Sequence, residues 1–285
     1  MRTRWIHALM GWSLALLATV AIPAAATADG PGPRYYLALG TSLSLGIQPD
    51  ASGQEQPTDE GYPDQLHAAL RSAMPRLRLV KLGCFGETSA TMISGGLCQY
   101  PHRSQLDEAV AFLHAHREAV ALVTLDIGAN DVQACGSLTG IDQDCVTRAF
   151  ADVAANLPRI LRALRAAAGD DVPVVAMSYY NPFVAAALLG PDGQKLAALS
   201  ALDSALFNGL LAGIYRGFGV PVADVAAAFH ADDFTPVPEA GGVPLNVLLV
   251  CEWTWMCAPP PVGPNIHANR DGYAVIAQTF LFIVR

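Results

Sequence analysis

The chain has 285 residues, 15% of them charged, with 17 Lys and Arg against 25 Asp and Glu for a net charge of −8. An acidic chain without a basic stretch is a poor partner for nucleic acid or an anionic membrane surface. Its length suits one well-buried α/β domain and is short for two.

Residues 1–28 read as a secretory signal peptide. Arg2 and Arg4 precede an apolar region over about residues 8–22, and Ala26-Thr27-Ala28 fits a small-x-small cleavage site. That region is shorter than the roughly 20 residues of a spanning helix, which favours cleavage after Ala28 over a retained anchor. No cysteine stands beside the site to carry lipid. The mature protein is therefore expected outside the cell. No stable membrane insertion is expected, because no later apolar run looks long and unbroken enough to span a bilayer. Residues 29–33, DGPGP, form a flexible lead, and residues 34–285 are expected to fold as one monomeric domain.

From residue 34 the pattern alternates. Short apolar runs at residues 35–39, 77–82, 119–125, 172–178 and 220–225 read as strands. Segments with apolar residues three and four apart at 61–74, 104–118, 150–169, 195–219 and Arg270–Val284 read as helices. Strands that are apolar nearly throughout and alternate with helices predict a parallel sheet covered on both faces. The expected fold is a three-layer α/β/α sandwich with five strands in the flavodoxin-like order 2-1-3-4-5. Ligands of such sheets sit beyond the carboxyl ends of the strands, and this order sets the ends of the first and third strands astride that crevice.

The segments after the strands carry the chemistry. The first run leads into GTSLSLG with Ser42, the second into LGCFGETSATMI with Gly86 and the third into DIGANDV with Asn130; VGPNIHANRDGYAVIA, with His267, precedes the last helix. A serine after a strand often does no more than cap the next turn. Four groups suited to acyl transfer on one rim favour the chemical reading. Ser42 would be the nucleophile, and His267 the base that takes and returns its proton. The Ser42 N–H, the Gly86 N–H and the Asn130 amide would hold the oxyanion.

From ALGTSLSLG to HANRDGYAVIA the sequence resembles the SGNH hydrolases, or GDSL-type esterases and lipases, most specifically in GAND and in H-x-N-x-x-GY. The resemblance implies a nucleophile at Ser42, oxyanion donors at Gly86 and Asn130 and a base at His267. It also implies cleavage of carboxylic esters (an acyl ester, a lipid or an acetylated glycan) without metal or organic cofactor. Two positions depart from the family pattern. Thr41 stands where Asp usually precedes the nucleophile, and Pro264 stands where Asp usually lies three residues before the histidine. The expectation is then a Ser–His dyad, with a backbone carbonyl of residues 263–265 accepting the Nδ1 proton. Asp224, at the end of the fifth strand, is the first candidate for a distant carboxylate. A non-catalytic binding or cell-envelope protein that kept the fold, and a polysaccharide O-deacetylase, are the alternatives.

The six cysteines fall into three sequence-local couples, Cys84 with Cys98, Cys135 with Cys145 and Cys251 with Cys257, which read as disulfides of a secreted protein. They also look like the couples of secreted actinobacterial lipases and phospholipases of this family. With no C-x-x-C pair, metal ligation by cysteine is not expected. Trp253 and Trp255, held by the last couple near His267, are candidates for a hydrophobic wall along the substrate; ordinary packing of large aromatics accounts for them equally well. Asp126 and Asp131 flank the turn of residues 127–130 that carries Asn130 and are expected to bond local backbone rather than act as acids. His114 and His116, two apart on a helix, face different ways and do not share a metal.

Overall fold

The computed structural model describes residues 32–285, so the signal peptide expected at residues 1–28 and most of the lead at 29–33 lie outside the described residues. The central sheet consists of β1 (Arg34–Gly40), β2 (Leu77–Lys81), β3 (Val120–Asp126), β4 (Val174–Met177) and β5 (Val222–Ala223). All pairings are parallel and the order is β2-β1-β3-β4-β5, the 2-1-3-4-5 arrangement expected from the sequence. Leu37, Leu39, Val123, Leu125, Val174 and Ala176 are wholly buried, because helices cover both faces of the sheet.

The helices of the described residues are α1 (Ser42–Leu45), α2 (Tyr62–Leu70), α3 (Ser89–Ser94), α4 (Gln105–His116), α5 (Ala129–Gln133), α6 (Gln143–Ala168), α7 (Pro191–Gly217), α8 (Val225–Ala228), α9 (Leu245–Trp253) and α10 (Arg270–Val284). In one layer α10 packs on α2, α8 and α9; in the other α6 packs on α3, α4 and α7. A 3₁₀ segment at Pro182–Leu189 leads into α7.

Differences from the sequence reading have local causes. α6 begins at Gln143 rather than residue 150, because the Asp142 side chain accepts the Cys145 N–H and caps the helix about two turns earlier than the apolar periodicity shows. α2 stops at Leu70 rather than residue 74, where the Ala73 and Met74 N–H groups both turn back to the Leu70 carbonyl. α9, which takes in Cys251 and Trp253, is not among the helices expected from the sequence, because it is apolar at nearly every position and so shows no helical stripe. α7 reaches a mean hydropathy of 1.4 over 18 residues and is, by length and composition, apolar enough to cross a membrane, against the expectation that no later run qualifies. Its Phe207, Leu211 and Tyr215 are buried in the core of the domain.

The disulfides are Cys84–Cys98, Cys135–Cys145 and Cys251–Cys257, with Cα separations of 6.0, 5.4 and 5.0 Å. These are the sequence-local pairings.

Candidate active site

β1 ends at Gly40, whose φ is +131° and where a Cβ would lie 2.1 Å from the Asp126 backbone oxygen. Only glycine lets the chain turn this close to β3. Thr41 follows as the cap of α1, its Oγ accepting the Leu43 N–H at 3.3 Å. The N–H and O–H of Thr41 both donate to Asp126 Oδ1 at 2.7 Å, and the Tyr62 hydroxyl donates to Oδ2 at 2.8 Å. Asp126 is fully buried, and desolvation pushes its carboxyl up to about 7 against the opposing pull of these hydrogen bonds. Gln105 clamps the same turn from α4: it accepts the Gly40 N–H at 2.6 Å and donates to the Gly40 carbonyl at 2.9 Å.

This turn presents Ser42 as the first residue of α1. Its Oγ lies 2.8 Å from Nε2 of His267, and both side chains are buried. His267 precedes α10 in a loop whose backbone is tied down: the Trp255 N–H donates to the His267 carbonyl, and the Tyr180 hydroxyl donates to the Ile266 carbonyl at 2.7 Å. On its other side the imidazole Nδ1 faces two oxygens, Asn265 Oδ1 at 2.9 Å and Glu55 Oε1 at 2.8 Å. The Asn265 orientation is fixed, because its Oδ1 also accepts the His267 N–H and its Nδ2 donates to Glu55 at 2.6 Å. Both neighbours of Nδ1 are therefore acceptors. Nδ1 carries the proton, and Nε2 is left to accept from the Ser42 hydroxyl.

The three groups expected to hold an oxyanion stand at three strand ends. As the first residue of a helix, Ser42 has an N–H without an intrahelical acceptor. Gly86 lies in the turn after β2 with φ +76°, and Phe85 of that turn stands over His267 with ring centroids 5.9 Å apart. Asn130 of α5 donates one amide hydrogen to the Glu87 carbonyl at 2.9 Å, which ties α5 to the Gly86 turn and leaves its second amide hydrogen for a ligand. Asp131 holds the same two segments together by accepting the Ser89 N–H and O–H at 2.8 and 2.6 Å; burial raises its carboxyl above the usual range. Ser42, Asn130 and His267 line a cleft with about 880 Å³ of empty space including its open mouth. Gly86 stands on the adjoining turn, outside that lining. The walls beyond Ser42 are mostly apolar, from Leu43, Val132, Ile141, Tyr179, Phe183 and Phe207, with Gln133, Asn181, Ser200, Asp203 and Ser204 among them. Among the described residues no group of three or more His, Cys, Asp and Glu side chains is placed to hold a metal.

A family model described as GDSL-like Lipase/Acylhydrolase matches residues 38–275, which include Ser42, Gly86, Asn130 and His267. The chain belongs to this family. It is thus a carboxylic ester hydrolase by kinship. Among solved structures, this GDSL-like hydrolase is similar to an extracellular lipase from Streptomyces rimosus, at TM-score 0.58 and 19% identity, covering 88% of this chain and 100% of that one. It is similar to phospholipase A1 from Streptomyces albidoflavus, at TM-score 0.55 and 18% identity, covering 89% and 100%. An acetyl xylan esterase variant from Geobacillus stearothermophilus matches at TM-score 0.55 and 15% identity, covering 89% and 95%. At such identities the likeness is one of fold. No curated protein sequence matches the chain.

This GDSL-like hydrolase departs from the expectations around its histidine. Side chains of Asn265 and Glu55 face Nδ1, not a backbone carbonyl of residues 263–265. Asp224 is engaged elsewhere: it accepts the Ser178 hydroxyl at 2.9 Å and the Ala227 N–H at 3.1 Å, capping α8. Neither tryptophan lines the cleft. Trp253 packs edge-on against Phe229 at 5.1 Å, and the Trp255 indole N–H donates to Gln48 Oε1 at 3.3 Å. The aromatic wall comes instead from Tyr179, Phe183 and Phe207, none of which lies between Cys251 and Cys257. Nothing along the chain marks Glu55, which sits in a polar stretch with no motif. The one local signal there is Asp50 followed by Ser52 and Gly53, a turn that predicts a hairpin but not what the hairpin touches.

Proposed function

We propose that this GDSL-like hydrolase is a secreted serine esterase that forms an acyl-enzyme on Ser42 and acts on esters with an extended acyl chain. The observation that carries the reading is the 2.8 Å contact between Ser42 Oγ and His267 Nε2 at the edge of an apolar cleft. His267 takes the hydroxyl proton as Oγ attacks the acyl carbon. The charge that develops on the carbonyl oxygen is met by the Ser42 and Gly86 N–H groups and the second Asn130 amide hydrogen. The imidazolium then gives its proton to the leaving alcohol as the C–O bond breaks, and a water deprotonated by His267 releases the acid.

The apolar walls favour an acyl chain over an acetyl group, which would leave most of the cleft unfilled. α7, which supplies Phe207 to the cleft, also exposes Leu199, Leu202 and Leu206 to solvent, an apolar rim suited to amphiphilic esters. The three disulfides support an oxidising, extracellular setting. A fluorophosphonate is expected to label Ser42 stoichiometrically and to fail with His267→Ala. Across p-nitrophenyl esters of rising chain length, with acetylated xylan and a phospholipid alongside, the rate is expected to peak above acetyl. Unchanged ester hydrolysis in Ser42→Ala refutes the assignment.

A further inference from the structure

The carboxylate missing at Pro264 has a replacement from the other side of the histidine. Glu55 lies on a short antiparallel ribbon, Gln48–Pro49 paired with Glu55–Gln56, which follows directly on the nucleophile's own helix α1. Its turn is locked by Asp50, whose carboxylate accepts the Ser52 N–H and O–H and the Gln54 N–H at 2.8, 2.6 and 3.0 Å. The ribbon is seated on the loop before His267 at two places. Gly53 meets Pro261 so closely that a Cβ would lie 2.1 Å from the Pro261 oxygen, and Gln48 accepts the Trp255 indole N–H. Seated there, Glu55 Oε1 lies 2.8 Å from His267 Nδ1 and receives the Asn265 amide as well.

Resting on the Ser42–His267 reading, we propose that Glu55 is the positioning carboxylate of this active site, acting through His267, with Asn265 as the clamp that aligns the two. In the resting state it accepts the Nδ1 proton with Asn265 and holds the tautomer whose Nε2 faces Ser42. When Nε2 takes the serine proton, the anionic carboxylate stabilises the imidazolium without itself taking a proton. The arrangement is thus a triad whose acid arrives on a ribbon from the N-terminal side of the chain. The His267 hydrogen bond holds the Glu55 carboxyl below the usual range, against partial burial, in keeping with an anion at this place. Other ionisable groups on the surrounding elements include Asp50 in the ribbon's own turn, the buried Tyr180 phenol on the Ile266 carbonyl, the buried Tyr273 phenol of α10 and the Arg270–Glu60 pair at 3.7 Å, all of which Glu55→Gln leaves in place.

The test is Glu55→Gln, an isosteric change at a side chain about a third exposed, made in the full mature protein and checked for an unchanged melting temperature. Losing the tautomer altogether costs a triad enzyme roughly ten-thousand-fold. Here Asn265 still accepts from Nδ1, so kcat/KM is expected to fall about 10- to 100-fold, carried by kcat. The acid limb of the pH profile is expected to move to lower pH, since without the carboxylate the imidazolium is less favoured. Asn265→Asp, which sets a carboxylate against the same nitrogen, is expected to restore most of the rate in the Glu55→Gln background. A merely structural role for the ribbon predicts neither the pH shift nor this rescue. If the wild type is labelled by fluorophosphonate at Ser42 while Glu55→Gln keeps its kcat/KM and pH profile, the role of Glu55 is overturned and the Ser42 reading stands. A folded double variant that recovers nothing also counts against the Glu55 role. No labelling of the wild type overturns the underlying reading itself.

Discussion

At the scale of single residues, Asp126 and Thr41 explain how the turn that presents Ser42 is built without an aspartate at position 41. The carboxylate sits at the end of β3 instead, bonded to the N–H and O–H of Thr41. Its burial has a consequence for stability. An ordinary Asp loses its proton near 3.8, whereas the folded protein holds the Asp126 proton up to about 7. Between these values the native state binds a proton that the unfolded chain does not, so this group's contribution is full below the unfolded value and is lost as pH rises through the folded one. Urea midpoints measured from pH 4 to 8 for wild type and Asp126→Asn should therefore converge on acidification and separate toward pH 8 in favour of the variant. Parallel curves would contradict the assignment. Gly40→Ala, which drives a Cβ into the Asp126 backbone at positive φ, is expected to cost about 2 kcal/mol or more in the same urea measurement.

At the scale of elements, two small structures decide the site's shape. The ribbon carrying Glu55 relies on Gly53, at φ +84°, to sit against Pro261. Gly53→Ala should lift the ribbon and lower kcat several-fold, with a melting temperature close to wild type because the ribbon contributes little to the core; both are read in one kinetic and one calorimetric measurement. The Cys135–Cys145 bond closes a separation of 10 residues around the hairpin of Gly136–Ser137 and Gly140–Ile141, and Gly136 and Ile141 line the cleft. Replacing both cysteines by alanine should cost about 2–3 kcal/mol in urea unfolding through the loop entropy of the unfolded chain. It should also flatten the chain-length preference, as the hairpin wall loosens.

At the scale of the whole molecule, the cleft opens beside the exposed face of α7, whose exposed positions between Lys195 and Arg216 are Ala, Leu and Gly alone. If the substrate is an amphiphilic ester, Leu202→Glu with Leu206→Glu should lower turnover of phospholipid vesicles about tenfold while hydrolysis of a soluble short-chain ester stays near wild type. The strand order and the places of Ser42, Gly86, Asn130 and His267 were legible in the sequence. Apolar runs, helical spacing and the rules of parallel connection act along the chain, and each of these residues follows a strand end or precedes a helix. What faces Nδ1 of His267 was not legible. Glu55 and Asn265 reach it through the fit of Gly53 on Pro261 and of Gln48 on Trp255, contacts between segments some 200 residues apart that leave no periodic trace. The same holds for the cleft, whose walls come from α1, α5, α7 and the 3₁₀ segment, and for Trp253, whose place was taken by Phe229 packing. Patterning along the chain sets the elements and their order, and with them which groups stand at the sheet's carboxyl edge; what faces the His267 ring and what lines the cleft follow from which distant surfaces fit, which no stretch of chain encodes alone.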